Sequence, residues 1–165
     1  MTGPLEGVKV LDLTSVLLGP YATQIMGDLG ADVIKIESPA GDTTRQTGVE
    51  RNPGMASFFL IANRNKRSLV LDLKKEAAKE ALWRLIDTAD VFIHAIRPKA
   101  IRRLGFGPEA VLARNPRIVY AGVHGFKEDG PYDNRPAYDD IIQAGSGLSA
   151  PVSYTHLRAH ETQFH

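Results

Sequence analysis

The sequence predicts an α/β fold built on a doubly wound, mainly parallel sheet. Short runs rich in Val and Ile alternate with amphipathic segments. Such near-continuous apolar runs suit strands covered by helices on both faces. Their strict alternation with helical patterns implies right-handed strand–helix–strand units. Nothing in the composition competes with this reading. The 165 residues are about one domain long, and the net charge of +1 argues against a polybasic binder of nucleic acid or membranes. The absence of cysteine excludes disulfides and thiol catalysis. MTGPLEGVKVLDL lacks the charged flank and long apolar run of a signal peptide, and no run approaches the ~20 apolar residues of a membrane span. A cytoplasmic location is expected.

The elements follow in order. VKVLDL (8–13) reads as the first strand. Gly19-Pro20 opens a helix over Tyr21 to Leu29, with Pro preorganising its first turn, and Gly30 ends it. DVIKIE (32–37) is the second strand, and the polar stretch from Ser38 to Gly54 reads as a long surface loop of the kind that often carries function. The charge-rich NRNKRS (63–68) leads into a third strand, SLVLDL (68–73). From Lys75 to Thr88, Ala78, Ala81, Leu82, Leu85 and Ile86 form one buried helical stripe. VFIHAI (91–96), helices over Lys99 to Leu104 and Pro108 to Arg114, and RIVYAGV (117–123) complete a Rossmann-like sheet. GFKEDGPYDNRPAYDD (125–140) follows the last strand, at the carboxyl edge where open α/β sheets bind ligands.

Several residues invite chemistry. A glycine-bearing turn after the first strand can offer backbone N–H groups to an anion. Glu37 stands where a dinucleotide fold places its ribose-binding acid. Gly19, Gly27 and Gly30 do not, however, make G-x-G-x-x-G, which disfavours an NAD-dependent oxidoreductase. Lys66, Arg67, Arg97, Arg102 and Arg103 are expected to gather at one end of the sheet, where guanidinium forks suit several phosphates; the plain alternative is solvated charge at element ends. His94, inside a strand, reads as packing, and His124 as structural. His156 and His160 share a helical face beside Glu161, yet a lone pair without a third ligand is read as incidental, and no metal is expected.

Four longer stretches carry a resemblance. PLEGVKVLDLTSVLLGPYATQIMGDLGADVIKIE, NRNKRSLVLDLK, ADVFIHAIRPKAIRRLGFGPEAVLARNPRIVYAGVHGF and GPYDNRPAYDDIIQAGSGL, within residues 4 to about 149, resemble the N-terminal part of family III CoA-transferases. That group includes formyl-CoA transferase, carnitine CoA-transferase and the related α-methylacyl-CoA racemases. The resemblance implies CoA or acyl-CoA as substrate, a carboxylate acceptor and an interlocked homodimer. It implies that Val16, Leu17 and Leu18 meet the ligand near the thioester. Leu71, Asp72, Leu73 and Lys74 would lie along the nucleotide with Ala95, Ile96 and Arg97. Arg103 would contact phosphate, and Pro136, Ala137, Tyr138 and Asp139 would line the pantetheine and active site. Formyl-CoA transferases carry His and Gln in the first turn, where this chain has Ser15 and Leu17, and Arg after Ile-Glu, where it has Ser38. A formyl-CoA and oxalate pairing is therefore not expected.

The family's nucleophile is an Asp in a Gly-rich stretch downstream of QA-x-SG, and the resemblance implies a place for it beyond Ala150. Gln143-Ala144-Gly145-Ser146-Gly147 is present, but no aspartate follows Asp140, so no catalytic residue is assigned within this chain. The racemases use a His where this chain has Tyr138, so a racemase-like enzyme is the weaker reading. A non-catalytic CoA- or nucleotide-binding module is the alternative from another class. Residues 1–150 are read as the N-terminal part of the large domain. The family match stops at about Ala150, and PVSYTHLRAHETQFH (151–165) is read as a non-native tail resembling translated adapter sequence. The chain by itself is expected to be inactive.

Overall fold

The computed structural model describes residues 3–133 and 135–147. Ala150, where the boundary with the tail is drawn and beyond which the nucleophilic Asp is expected, lies outside the described residues, as do His156 and His160. The chain divides into two compact units, Met1–Val123 and His124–His165.

The first unit is the predicted α/β sheet. In order it contains β1 (Lys9–Leu13), α1 (Leu18–Asp28), β2 (Asp32–Glu37), a 3-10 turn (Thr43–Gln46), α2 (Ser57–Asn63), β3 (Lys66–Val70), α3 (Glu76–Ile86), β4 (Val91–His94), α4 (Pro98–Leu104), α5 (Pro108–Arg114) and β5 (Val119–Gly122). The strands are ordered β3-β2-β1-β4-β5, and every neighbouring pair is parallel. In β1, Leu11 pairs with Ile34 on one side and Phe92 on the other, so this strand is buried on both edges as well as both faces. The strand order reverses between β1 and β4, which makes their carboxyl ends the switch point of the sheet.

The two faces differ in chemistry. On one, Leu11, Leu13, Ile36 and Phe92 pack against Leu82 and Ile86 of α3, Ile101 of α4 and Val111 of α5. Each large side chain buried there contributes about 1.5–3 kcal/mol. On the other face a smaller cluster of Val10, Val33, Ala31 and Ile93 packs with Met26 of α1. Period-two alternation places Asp12 and Lys35 on this same face, and both are completely buried. Asn115 links two helices of the first face, donating from Nδ2 to the Ile86 and Ala89 carbonyl oxygens at 2.8 and 3.0 Å.

Some boundaries move. The third strand begins at Lys66 and ends at Val70 instead of running over 68–73. Val33 aligns with Lys66 and Ile34 with Arg67, and acids on β1 and β2 neutralise both cations, so charged residues enter the ladder. The first helix starts at Leu18, before Gly19-Pro20, and the fourth strand stops at His94. The stretch following the polar loop contains α2, which rests on buried Ala56, Phe59 and Ala62.

The second unit contains α6 (Asp139–Gly145). Phe126 and Tyr132 meet with ring centroids 5.5 Å apart. A Cβ at Gly125 would lie 2.3 Å from that of Ala137, so a glycine is required at that approach. Tyr138 precedes the helix and is exposed. Gln143 Nε2 donates to Asp139 Oδ2 at 2.6 Å.

Candidate functional site

A cleft of about 360 Å³ opens at the carboxyl ends of four neighbouring strands. Leu13, Thr14 and Ser15 enter it from β1, Ile36, Glu37 and Ser38 from β2, Leu71 to Lys74 from β3, and Ile96 from β4. Gly41 and Asp42 close one side and Leu104 of α4 another. Leu13, Ile36, Leu71, Leu73, Ile96 and Leu104 make the lining largely apolar. The cleft is at the low end of the ~300–1,000 Å³ range of small-ligand sites. Leu71 to Lys74 hold their shape through a turn: the Lys75 N–H donates to the Asp72 carbonyl oxygen at 2.8 Å and the Lys74 N–H to Asp72 Oδ1 at 3.2 Å.

Two of the acids lining this cleft, Asp42 and Glu37, are already ion-paired. Lys35 Nζ lies 3.0 Å from Asp42 Oδ2, with both side chains buried. Arg45 grips Glu37 through Nε and Nη2 at 2.8 and 2.6 Å and stacks over Phe59 of α2 at 3.8 Å. Ser68 Oγ and the Asp42 N–H also donate to Glu37. Deeper in, Lys66 Nζ reaches Asp12 Oδ2 at 3.0 Å, the Pro20 carbonyl oxygen at 2.8 Å and Asn63 Oδ1 at 2.9 Å. Thr14 and Thr23 hydroxyls donate to the same Asp12 carboxylate.

Burial pushes the Asp12 carboxyl up, but Lys66, Lys35 and the two threonines outweigh it and hold it below its ordinary value. Glu37 behaves likewise, burial being overcome by Arg45 and the Asp42 N–H. In Asp42 burial is overcome by Thr44 and Lys35. Burial lowers Lys66, with Asp12 opposing. The three carboxylates are therefore charged at neutral pH, and none is poised as a general acid.

This network has two consequences for the sequence-based expectations. Lys66 and Arg67 do not join Arg97, Arg102 and Arg103 at one end of the sheet. They begin β3 at its amino end, Lys66 buried on Asp12 and Arg67 paired with Asp32, whereas Arg97 opens α4 after β4. Strand direction separates the two groups. Glu37 is also committed, since both its oxygens accept from Arg45, which leaves a nucleotide ribose to compete with a bidentate ion pair.

Of the residues singled out in the sequence, Leu71, Asp72, Leu73, Lys74 and Ile96 share the cleft. Ala95 and Arg97 flank Ile96 and are exposed, and exposed Arg103 adjoins Leu104 on α4. Val16, Leu17 and Leu18 follow cleft-lining Ser15 and are also exposed, though they do not line the cavity. Pro136, Ala137, Tyr138 and Asp139 belong to the second unit, where all four are exposed. His94 is buried between Phe92 and Tyr120, and its Nδ1 accepts from the Ile96 N–H at 3.2 Å, consistent with packing. Asp12, Lys35 and Asp42 were not singled out. The signal for the first two was present: a charged residue on each apolar strand, VLDL and VIKIE, in step with the buried positions.

The model of CoA-transferase family III matches residues 5–156, nearly the whole chain. The chain belongs to CoA-transferase family III. Among its curated relatives, a probable fatty acyl-CoA transferase of Mycobacterium tuberculosis is 42% identical over 148 residues, covering 88% of this chain and 38% of that protein. A formyl-CoA:oxalate CoA-transferase of Streptomyces avermitilis is 45% identical over 154 residues, covering 93% of this chain and 37% of the relative. The crystal structure of the Mycobacterium protein superposes with a TM-score of 0.83 at 39% identity, covering 99% of this chain and 44% of that one. A CAIB/BAIF family protein from Brucella suis gives 0.84 at 40% identity, covering 90% and 40%. The chain thus spans less than two fifths of these curated family III relatives' length.

Proposed function

We propose that this chain carries part of the CoA-binding region of an enzyme that moves CoA from an acyl-CoA thioester to a carboxylic acid. The observation that carries the reading is the coincidence of Leu71 to Lys74 and Ile96 with the cleft at the carboxyl ends of β1 to β4. Family membership supplies the class of reaction. Lys74, Arg97 and Arg103, on or next to cleft-lining residues, are assigned to the phosphates, and the apolar walls to the nucleotide. Val16 to Leu18 are assigned to the thioester end and Pro136 to Asp139 to the pantetheine.

In the chemistry proposed, an Asp carboxylate oxygen attacks the thioester carbon and expels CoA thiolate, leaving an acyl–aspartyl anhydride. The thiolate then attacks the aspartyl carbonyl, releasing the donor carboxylate and forming an enzyme–CoA thioester. The acceptor carboxylate attacks that thioester to form a new anhydride, and the freed thiolate takes the new acyl group and restores the Asp. Such a weak nucleophile needs near-attack placement and donors for the developing oxyanion. No aspartate follows Asp140 in this sequence, and no residue of this chain is assigned the nucleophile's role. On the same reading the enzyme is a cytoplasmic, interlocked homodimer. A racemase would need a base where Tyr138 stands.

Calorimetric titration of the full chain with CoA tests the proposal. Micromolar or tighter binding, weakened about tenfold by Arg97→Ala on loss of one charged phosphate contact, is expected. No heat with CoA, or tighter binding of NADH than of CoA, would overturn it.

A further inference from the structure

We infer that Asp42 is a positioning residue, which clamps the turn between β1 and α1 in a strained form and so sets the path of the chain at the thioester end of the cleft. The inference rests on the CoA reading for its ligand but on separate observations for its mechanism. Val16 has φ +67°. For a β-branched residue this left-handed conformation is a genuine outlier, and it persists only where the surroundings over-determine it.

The surroundings do so from both sides. On the near side, the Thr14 N–H donates to Asp12 Oδ1 at 2.9 Å, and the Thr14 carbonyl oxygen accepts from Lys35 Nζ at 3.0 Å. On the far side, the Val16 N–H donates to Asp42 Oδ1 at 3.3 Å. Asp42 is itself fixed: Thr44 donates to the same oxygen through N and Oγ1 at 3.0 and 2.8 Å, and Lys35 to Oδ2 at 3.0 Å. Lys35 therefore holds both the turn and its clamp. Gly41, at φ +75°, makes the bend that brings Asp42 back over the end of β2. Thr14, Ser15 and Asp42 all line the cleft, so a change in Val16 φ redirects the chain where Ser15 leaves the cavity and Leu17 enters α1. A glycine at position 16 would adopt this φ without a clamp. Valine adopts it only while Asp42 is in place.

The test separates clamp from fold and clamp from ligand. Asp42→Ala is expected to weaken CoA binding about tenfold, the scale on which a strained turn relaxes. The double variant Asp42→Ala/Val16→Gly, read against Val16→Gly alone to account for the valine side chain's own contact, is expected to regain most of that loss, which a merely structural role for Asp42 would not allow. Independently of CoA, amide hydrogen exchange at Val16 should quicken in Asp42→Ala while Leu11 and Phe92 stay protected. Should Asp42→Ala fail to fold, the near-isosteric Asp42→Asn takes its place, with a smaller loss and the same recovery by Val16→Gly. A folded variant with unchanged Val16 exchange, or a loss that Val16→Gly leaves untouched, overturns the inference. If the parent chain binds no CoA, the functional reading falls and the exchange measurement alone decides the clamp.

Discussion

At the scale of single residues, the interior of this sheet is decided by charges as much as by hydrocarbon. Asp12 sits on the central strand β1 with no exposed surface, and Lys66 reaches it from β3, two strands away. Desolvating both ions is expensive, so the pair is better read as a device that fixes one arrangement than as a source of net stability. Removing a single partner is a different matter, because the survivor remains buried and unpaired. Asp12→Asn is expected to lower unfolding free energy by about 3–5 kcal/mol in urea titrations. Adding Lys66→Met should recover a large part of that loss, since the uncompensated ammonium goes with it. A double variant no more stable than the single one would show that the pair is not the unit involved.

At the scale of elements, the β2–α2 connection works as a cover for the charged face of the sheet. Glu37 ends β2, Arg45 of the 3-10 turn binds it, and Phe59 of α2 backs the guanidinium. Asp42 joins this cover to the β1–α1 turn. Asp12, Glu37 and Asp42 are all held below their ordinary carboxyl values in the folded protein. Their contribution is therefore complete above the unfolded values near ~4 and is lost as pH falls through the depressed folded ones. Circular dichroism across an acid titration should show stability roughly level from pH ~7 to ~5 and declining below ~4. Glu37→Gln should shrink the acid-dependent part. A chain equally stable at pH ~3 and ~6 would contradict this account of the network.

At the scale of the whole molecule, the proposed binding of CoA and the proposed transfer can be measured apart. The chain is expected to bind CoA and yet to transfer none, because no aspartate follows Asp140. Incubating it with labelled CoA and an acyl-CoA should give no exchange above a protein-free blank, and turnover would defeat the prediction. Four strands were legible in the sequence as short runs rich in Val and Ile between helical patterns, a signal that survives without any partner in view. The start of β3 was not, since Lys66 and Arg67 read as solvated until Asp12 and Asp32 stand beside them. Nor was α2, whose seven residues follow the polar loop without the first-turn proline that marks the equally short α4 and α5. The long motifs likewise carried the family, and with it the cleft residues Leu71 to Lys74 and Ile96, because they preserve local sequence order. By itself, then, the sequence determined the fold class, the family and the strands that build the cleft. Only the tertiary structure decided that Lys66 and Glu37 are spent on internal ion pairs and that Asp42 reaches back to Val16. The Asp42–Val16 and Lys66–Asp12 pairings join residues 26 and 54 positions apart. The parallel register of neighbouring strands, which local pattern does not encode, is what brings them together.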